Sequence, residues 1–527
     1  MKQNIFKIYS QRLKFSNKRQ ALYIQNLMVA FFTIATSFLL LNFKGDFKIS
    51  VMICFIVMGL LWISLRNFFL ALFWIFLITS QFIEPGKYYS FVLIEIGKIQ
   101  QEPFFSQGLI DGFGLVNSDI FAFLLTLYLF RLFLFELKGR FKKNFLNLLS
   151  TKQILFISVC WTSFFLWALS SSLNYSFYPI FSVVNLFQYM KMIVFFISTS
   201  YLILSPNLLF KPFLISILSG LIVFQSLLGG LQILAGLASI GENHRNESFS
   251  IVTEEKFLFP RSSGAFLHSN QFGLFMFLFL LILMISKSFL NFQKEFPPGW
   301  LVAMSGLCIG SIIFSQSRTI WFCSLLTLIW YLFYYGWKEL KFYSLKVLKD
   351  ISFKQSVLIA TLTVVILSVV IPRFFLSMYT LEGGGGSIRL RMLDEGSQAL
   401  QESLIFGFGV NTNVNVLYER FPNGYLQDFP YAIHIGYLQL ALESGIIGVV
   451  FFFTPFIVLL RKRLVLLINS KLGNMQIFFS ACGILSLLIY YCLQPHGGRL
   501  ELPLLGLVLA FFFNVDQGKK RKTATLV

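Results

Sequence analysis

The sequence predicts an all-α polytopic membrane protein, and three observations predict it. Of its 527 residues, 56% are hydrophobic and only 13% charged, whereas a soluble domain carries about 25% charged residues. Apolar runs of roughly 20 residues, the length that crosses a bilayer as a helix, recur from Ala21 to Asn514. Basic residues gather in the short segments between those runs, as they do where lysine and arginine set topology. Backbone polar groups in lipid must be satisfied internally, so helices are the spanning element. The 66 phenylalanines then read as lipid-facing and packing residues.

Taken in order, the runs give about fourteen spans, near residues 21–42, 49–65, 67–83, 119–137, 153–172, 179–204, 210–238, 266–286, 300–316, 318–335, 355–372, 435–460, 474–493 and 499–514. The net charge of +20 is distributed along them. Lys2, Lys7, Arg12, Lys14, Lys18 and Arg19 precede the first run, and Lys519-Lys520-Arg521-Lys522 follow the last. Further clusters at 138–143, 338–354 and 461–463 read as loops. With the N-terminus inside, each basic loop falls on the cytoplasmic side, while 84–119, 241–266 and the long loop 373–434 fall outside. Two short turns, at 65–67 and 316–318, carry this alternation. No basic face with base-stacking aromatics exists outside the runs, which excludes a nucleic-acid partner. The six cysteines sit within runs, none in a Cys-x-x-Cys pair, and read as core hydrophobes. No small-residue cleavage site follows the first run, which reads as an uncleaved anchor.

The organisation expected is a cytoplasmic basic N-terminus (1–20), an N-terminal bundle (21–299), a domain at 300–460 holding the extracytoplasmic loop 373–434, two C-terminal helices (461–514) and a cytoplasmic tail (515–527). No soluble domain and no repeat of fixed period is visible. The four glycines at 383–386 read as a hinge, and Ser387 as the cap of an amphipathic helix reaching about residue 403. Together they predict a mobile lid on the membrane surface.

The chemistry is expected at the outer face. Residues 371–443 contain four arginines and no lysine, and Arg261, Arg318, Arg373, Arg389, Arg391, Arg420 and Arg499 all face outward, against the positive-inside tendency. Guanidinium forks match phosphate oxygens and keep their charge, so the cluster points to an anionic, pyrophosphate-bearing lipid substrate. The bland readings are that Arg261 snorkels to headgroups, Arg318 anchors a turn and Arg389 is a surface charge. His434 stands at a helix start, where the macrodipole favours the neutral ring that can accept a proton. Its alternative is a capping or interfacial histidine. His244, His268 and His496 are weaker candidates. No His-Glu-x-x-His, paired outer carboxylates, P-loop or Gly-x-Ser-x-Gly elbow is present, so the expected chemistry uses no metal and no nucleotide cofactor. The driving force then comes with the substrate.

At these residues the chain resembles the O-antigen ligase and polymerase superfamily. The loop pattern reads Arg389, then Gly407-Phe408-Gly409, then His434 with Leu438 and Glu443-Ser444-Gly445-Ile446-Ile447-Gly448. Upstream, Arg261, Gly264, Asn270 and Gly273 are similar to a second family element, and Ser315-Gln316-Ser317-Arg318 to a third. Ile435 replaces the usual asparagine after the histidine, and Leu404 the usual proline before Gly-x-Gly. The resemblance covers the later half of the chain and implies a metal-independent inverting glycosyltransferase with a GT-C-like helical membrane architecture. It implies that His434, Arg318 and Arg261 are catalytic, and that Arg389, Arg391, Gly407, Gly409 and Asn270 bind substrate. The implied donor is an undecaprenyl-pyrophosphate-linked glycan, the acceptor lipid A-core or another glycan, and the location the bacterial inner membrane with a periplasmic active face. Ligation to lipid A-core leads the readings. A polymerase and a protein O-oligosaccharyltransferase share the pattern, and a lipid-glycan transporter is the rival from another class. A transporter needs deep charges in both halves, and Lys191 is the main early candidate.

Overall fold

Each long apolar run that the structure describes is helical, because a continuous helix is what leaves no backbone group unpaired in lipid. The computed structural model describes residues 23–43, 47–80, 86–88, 114–138, 148, 151–176, 178–205, 210–234, 262–266, 269–286, 295–335, 385–427, 432–469, 475–494 and 501–514. The helices are α1 (Tyr23–Asn42), α2 (Phe47–Leu65), α3 (Phe68–Thr79), α4 (Asn117–Leu137), α5 (Lys152–Asn174), α6 (Pro179–Leu204) and α7 (Phe210–Leu234). They continue with α8 (Ser269–Ser286), α9 (Trp300–Ser315), α10 (Arg318–Tyr335), α11 (Gly385–Glu402), α12 (Asn413–Arg420), α13 (Gly436–Asn469), α14 (Met475–Leu493) and α15 (Glu501–Asn514).

Among the described residues, nine helices are long and apolar enough to cross a membrane. Four shorter apolar helices, α3, α9, α10 and α15, fall where the sequence predicts spans. The span expected at 355–372 lies outside the described residues. α3 is only 12 residues long and buried from Phe69 to Thr79, so it is enclosed by its neighbours. The two turns that carry the alternation are tight. Arg66 adopts φ 51° and Gln316 φ 50°, and Asn67 caps α3 by accepting from the Leu70 amide at 3.2 Å.

Regular structure among the described residues is helical apart from one small hairpin, in which β1 (Gly86–Tyr88) and β2 (Gly114–Val116) pair antiparallel ahead of α4. Two expectations are corrected. The basic cluster at 461–463 is not a loop, because α13 runs on to Asn469. The segment after the glycines is not a free lid on a membrane surface. α11 begins at Gly385, two residues before the expected cap, and packs onto α13 and α12 around a small second core of Met392, Ala399, Phe408, Leu417, Tyr425 and Leu442. Its moderate amphipathicity hid a helix that buries one face in protein.

The bundle is pinned at both ends by polar contacts. At one end α15 lies along α6, close enough that a Cβ on Gly506 would strike the Met192 carbonyl oxygen. A small residue at such a contact lets transmembrane helices approach closely. At the foot of α15, the fully buried Arg463 donates through Nη2 to the carbonyls of Phe512 (2.9 Å) and Phe513 (3.2 Å). Ser480 donates to the same Phe512 oxygen at 2.9 Å, and Asn514 reaches Ser200 at 3.0 Å. A cation on the carbonyl end of a helix satisfies both the orphan acceptors and the macrodipole. Elsewhere the buried Lys191 is paired with Asp119 and donates to Ser118 at 3.0 Å. It joins α6 to the start of α4, and a neutralised pair of this kind is structural.

At the opposite end α13 is interrupted. Gly445 has φ 69°, ψ 176°, which frees backbone groups of the preceding turn. They exchange hydrogen bonds with the segment 404–409. The Phe408 amide donates to Leu442 O (2.7 Å), the Gly409 amide to Glu443 O (2.9 Å), and the Ile446 amide to Leu404 O (2.9 Å). No side chain fits where these backbones meet, since a Cβ on Gly445 would overlap the Ile405 carbonyl and one on Gly407 would lie 2.6 Å from Gly445 N. Phe406 is stacked between Trp167 (4.7 Å) and Tyr175 (4.3 Å) of the α5 end, and Trp167 donates to Ser444 O at 2.9 Å. Tyr178, just ahead of α6, donates to Glu419 of α12 at 3.0 Å.

Two measurements check these pins. Arg463→Met keeps volume but removes the donors, and should lower the thermal midpoint of the purified protein by the equivalent of about 2–3 kcal/mol with membrane insertion unchanged. Burial first, then the Glu419 charge, pushes the Tyr178 phenol up to about 12 from an ordinary 10. The folded state favours the protonated phenol. Its contribution is therefore full below pH 10 and lost as pH rises to about 12. Hydrogen exchange of α12 should show that loss, and Tyr178→Phe should remove this part of the pH dependence.

Candidate functional site

Five elements bring the sequence-predicted residues to the end of the bundle that carries the interrupted α13. The first is the turn at 262–266, an irregular stretch of buried backbone. Such backbone is tolerated in a membrane protein only where protein satisfies it. Here two glutamines of α7 do so. Gln232 Oε1 accepts from the amides of Ser263 (3.0 Å) and Gly264 (2.9 Å), while its Nε2 donates to Gly264 O at 2.9 Å. Gln225 Oε1 accepts from the Ala265 amide at 2.8 Å. The Ser262 amide donates to Phe314 O at 3.0 Å, which ties the turn to the end of α9. Arg261, the residue before this turn, lies outside the described residues, as do His268, His244, His496, Arg373 and Arg499.

The second and third elements are the α9–α10 turn and the start of α8. Arg318 is the first residue of α10, with Gln316 left-handed before it and its own side chain exposed. Asn270, in the first turn of α8, donates to Gln494 Oε1 at 2.9 Å, and Gln494 Nε2 donates to Thr319 Oγ1 at 3.4 Å. Asn270 thus reaches the neighbour of Arg318 through one intervening amide. Its role here is to tie α8, α14 and α10 together.

The fourth element is α11, which carries Arg389 and Arg391. Both are exposed. Arg389 nevertheless has protein atoms around its guanidinium. Desolvation first, and then the charge of Arg318, holds its pKa below the ordinary arginine value. The charge of Arg318 thus acts on a residue 71 positions later in the chain (389 − 318 = 71). Neither has a carboxylate partner among the described residues. Arg391 acts on Glu395, whose carboxylate accepts from the Tyr425 amide at 2.9 Å. Arg420 is spent on structure, paired with Glu402 at 2.6 Å and lying 4.5 Å over the Phe408 ring.

The fifth element is the start of α13. His434 is half-buried, and its Nδ1 lies 2.8 Å from Ala432 O. A carbonyl only accepts, so Nδ1 carries the hydrogen and the lone pair of the neutral ring is on Nε2. Three residues on, Tyr437 donates to Leu488 O at 2.9 Å, which fixes this turn against the α14 end that holds Gln494. Gly407 and Gly409 lie in the backbone exchange described above. The Gly407 amide donates to Ser403 O and the Gly409 amide to Glu443 O, both at 2.9 Å.

Sequence reasoning missed Gln225, Gln232 and Gln494. The signal was available, since two glutamines seven residues apart in an apolar run share one helix face, and polar groups at membrane depth are retained for a purpose. Comparison with curated proteins gives no match. Residues 303–453, which hold Arg318, Arg389, the Gly407–Gly409 pair, His434 and Glu443, match the family model described as O-Antigen ligase, and that match supports an O-antigen ligase superfamily assignment.

Proposed function

We propose that the protein transfers an undecaprenyl-pyrophosphate-linked glycan to an acceptor hydroxyl at the periplasmic face of the inner membrane, with O-antigen ligation to lipid A-core as the reaction. One observation carries this reading. Arg318 and Arg389 are like charges, the first depressing the pKa of the second, and neither has an acidic partner among the described residues. Two guanidiniums held in that way are poised for a polyanion, and a pyrophosphate supplies bidentate oxygens for both. The O-antigen ligase family match over the same residues supports the glycan chemistry.

In this mechanism the acceptor hydroxyl attacks the anomeric carbon of the donor from the face opposite the pyrophosphate. The new glycosidic bond forms as the bond to the phosphate oxygen breaks, with inversion. His434 Nε2 takes the hydroxyl proton, its lone pair oriented by the Nδ1 hydrogen bond to Ala432. Arg318, Arg389 and Arg261 stabilise the charge that grows on the departing pyrophosphate, as preorganised groups do. Arg391 adds to the positive field of the loop. Gln232 acts at one remove by holding the turn next to Arg261.

Arg318→Ala should lower transfer by about 100-fold or more while the protein remains in the membrane, and retained activity would remove the clamp assignment. In a deletion host complemented with this variant, glycolipid gels should show long chains lost from lipid A-core and accumulated on the lipid carrier. Cores capped with a single repeat would show a polymerase instead, and unchanged pools a protein or other acceptor. Gln232→Leu removes the acceptor of two buried amides, Ser263 and Gly264, at about 1–3 kcal/mol each. It should reduce transfer strongly while the arginines themselves are intact. Activity equal to wild type would separate the turn from the reaction.

A further inference from the structure

We infer that Glu443 is a positioning residue whose buried carboxyl, shared between Asn413 of the loop and Gln439 of the first turns of α13, sets the register of the arginine-bearing loop against His434. Glu443 is 2% exposed. Its Oε1 accepts from Asn413 Nδ2 at 2.7 Å and from Gln439 Nε2 at 3.0 Å, and the Asn411 amide also donates to the carboxyl group. Two of the three donors belong to the loop and one to the helix that begins just after His434. The same residue's carbonyl receives the Gly409 amide (2.9 Å) and the Ser171 hydroxyl (3.3 Å). Main chain and side chain of one residue therefore hold the loop, α13 and α5 together.

A buried carboxyl is costly unless its hydrogen bonds are made. Undocking the loop removes two of its donors, so the carboxyl favours the docked arrangement over any displaced one. Docking matters to the site because Leu417 of α12 and Met392 of α11 share the loop core, and α11 carries Arg389, whose guanidinium feels the charge of Arg318. A shift of the Asn413 end is thus passed to Arg389. Glu443 touches neither arginine and is not itself a catalytic group. This inference rests on the proposed transfer reaction for its catalytic half and on geometry alone for its structural half.

The two halves are tested separately. Hydrogen exchange over residues 403–427 should rise in Glu443→Ala and in Asn413→Ala. It should return toward wild type in the double variant Glu443→Gln/Asn413→Asp, which restores the contact with donor and acceptor reversed. Unchanged protection in the single variants, or no recovery in the swap, overturns the proposal. In a transfer assay with a polyprenyl-pyrophosphate glycan, Glu443→Ala should lose about 100-fold, and Glu443→Ala/Arg389→Ala should be no slower than the slower single variant. Multiplicative losses overturn the link to Arg389, because a residue that only stabilised the fold would combine independently. If wild type shows no transfer with this donor, the functional reading fails while the exchange result still decides the register role.

Discussion

The interruption of α13 at Gly445 is the constraint on which the site depends. An unbroken helix would spend the carbonyls of Leu442 and Glu443 on its own next turn. With Gly445 at φ 69°, those groups and the Ile446 amide are turned outward, and the chain at 404–409 supplies their partners. The exchange needs close backbone approach, which explains the glycines on both sides of it. A loop held by main-chain bonds on two sides, with Phe406 stacked on the end of α5, is located to the precision of a secondary-structure element. That is the kind of support a charged site requires.

The same economy of backbone groups explains the other half of the site. The turn at 262–266 could not exist within an apolar bundle without acceptors and donors brought to it, and Gln225 and Gln232 bring them. Two irregular segments are thus each satisfied by a different neighbour, and the 262–266 turn is also tied to Phe314 near the end of α9, just ahead of α10. They bring residues distant in sequence to one end of the bundle. Arg318 and Arg389 have no acidic partner among the described residues, whereas Lys191 is paired with Asp119 and Arg463 is fixed on helix carbonyls.

The fold end opposite the site shows why charge alone is a poor guide. Arg461-Lys462-Arg463 reads in the sequence as a cytoplasmic loop, yet α13 continues through it and Arg463 is fully buried. The positive-inside tendency locates such a cluster by side of the membrane. It does not say whether the backbone there is looped or helical, or which of the three side chains turns inward.

The sequence by itself determined the apolar helices that the structure describes and their turns at 65–67 and 316–318, because hydropathy and polar punctuation are local properties. It also singled out Arg318, Arg389 and His434, since arginines and histidines on one side of a hydrophobic chain stand out by type alone. Only the tertiary structure decided that the charge of Arg318 is felt at Arg389, that Arg420 is spent on Glu402 and Phe408, that Gly407 and Gly409 meet a broken helix, and that the glycine-led segment is packed rather than free. Those outcomes depend on which backbone groups α13 leaves open and which side chains reach them. The partners lie tens to hundreds of residues apart, beyond the reach of any local pattern.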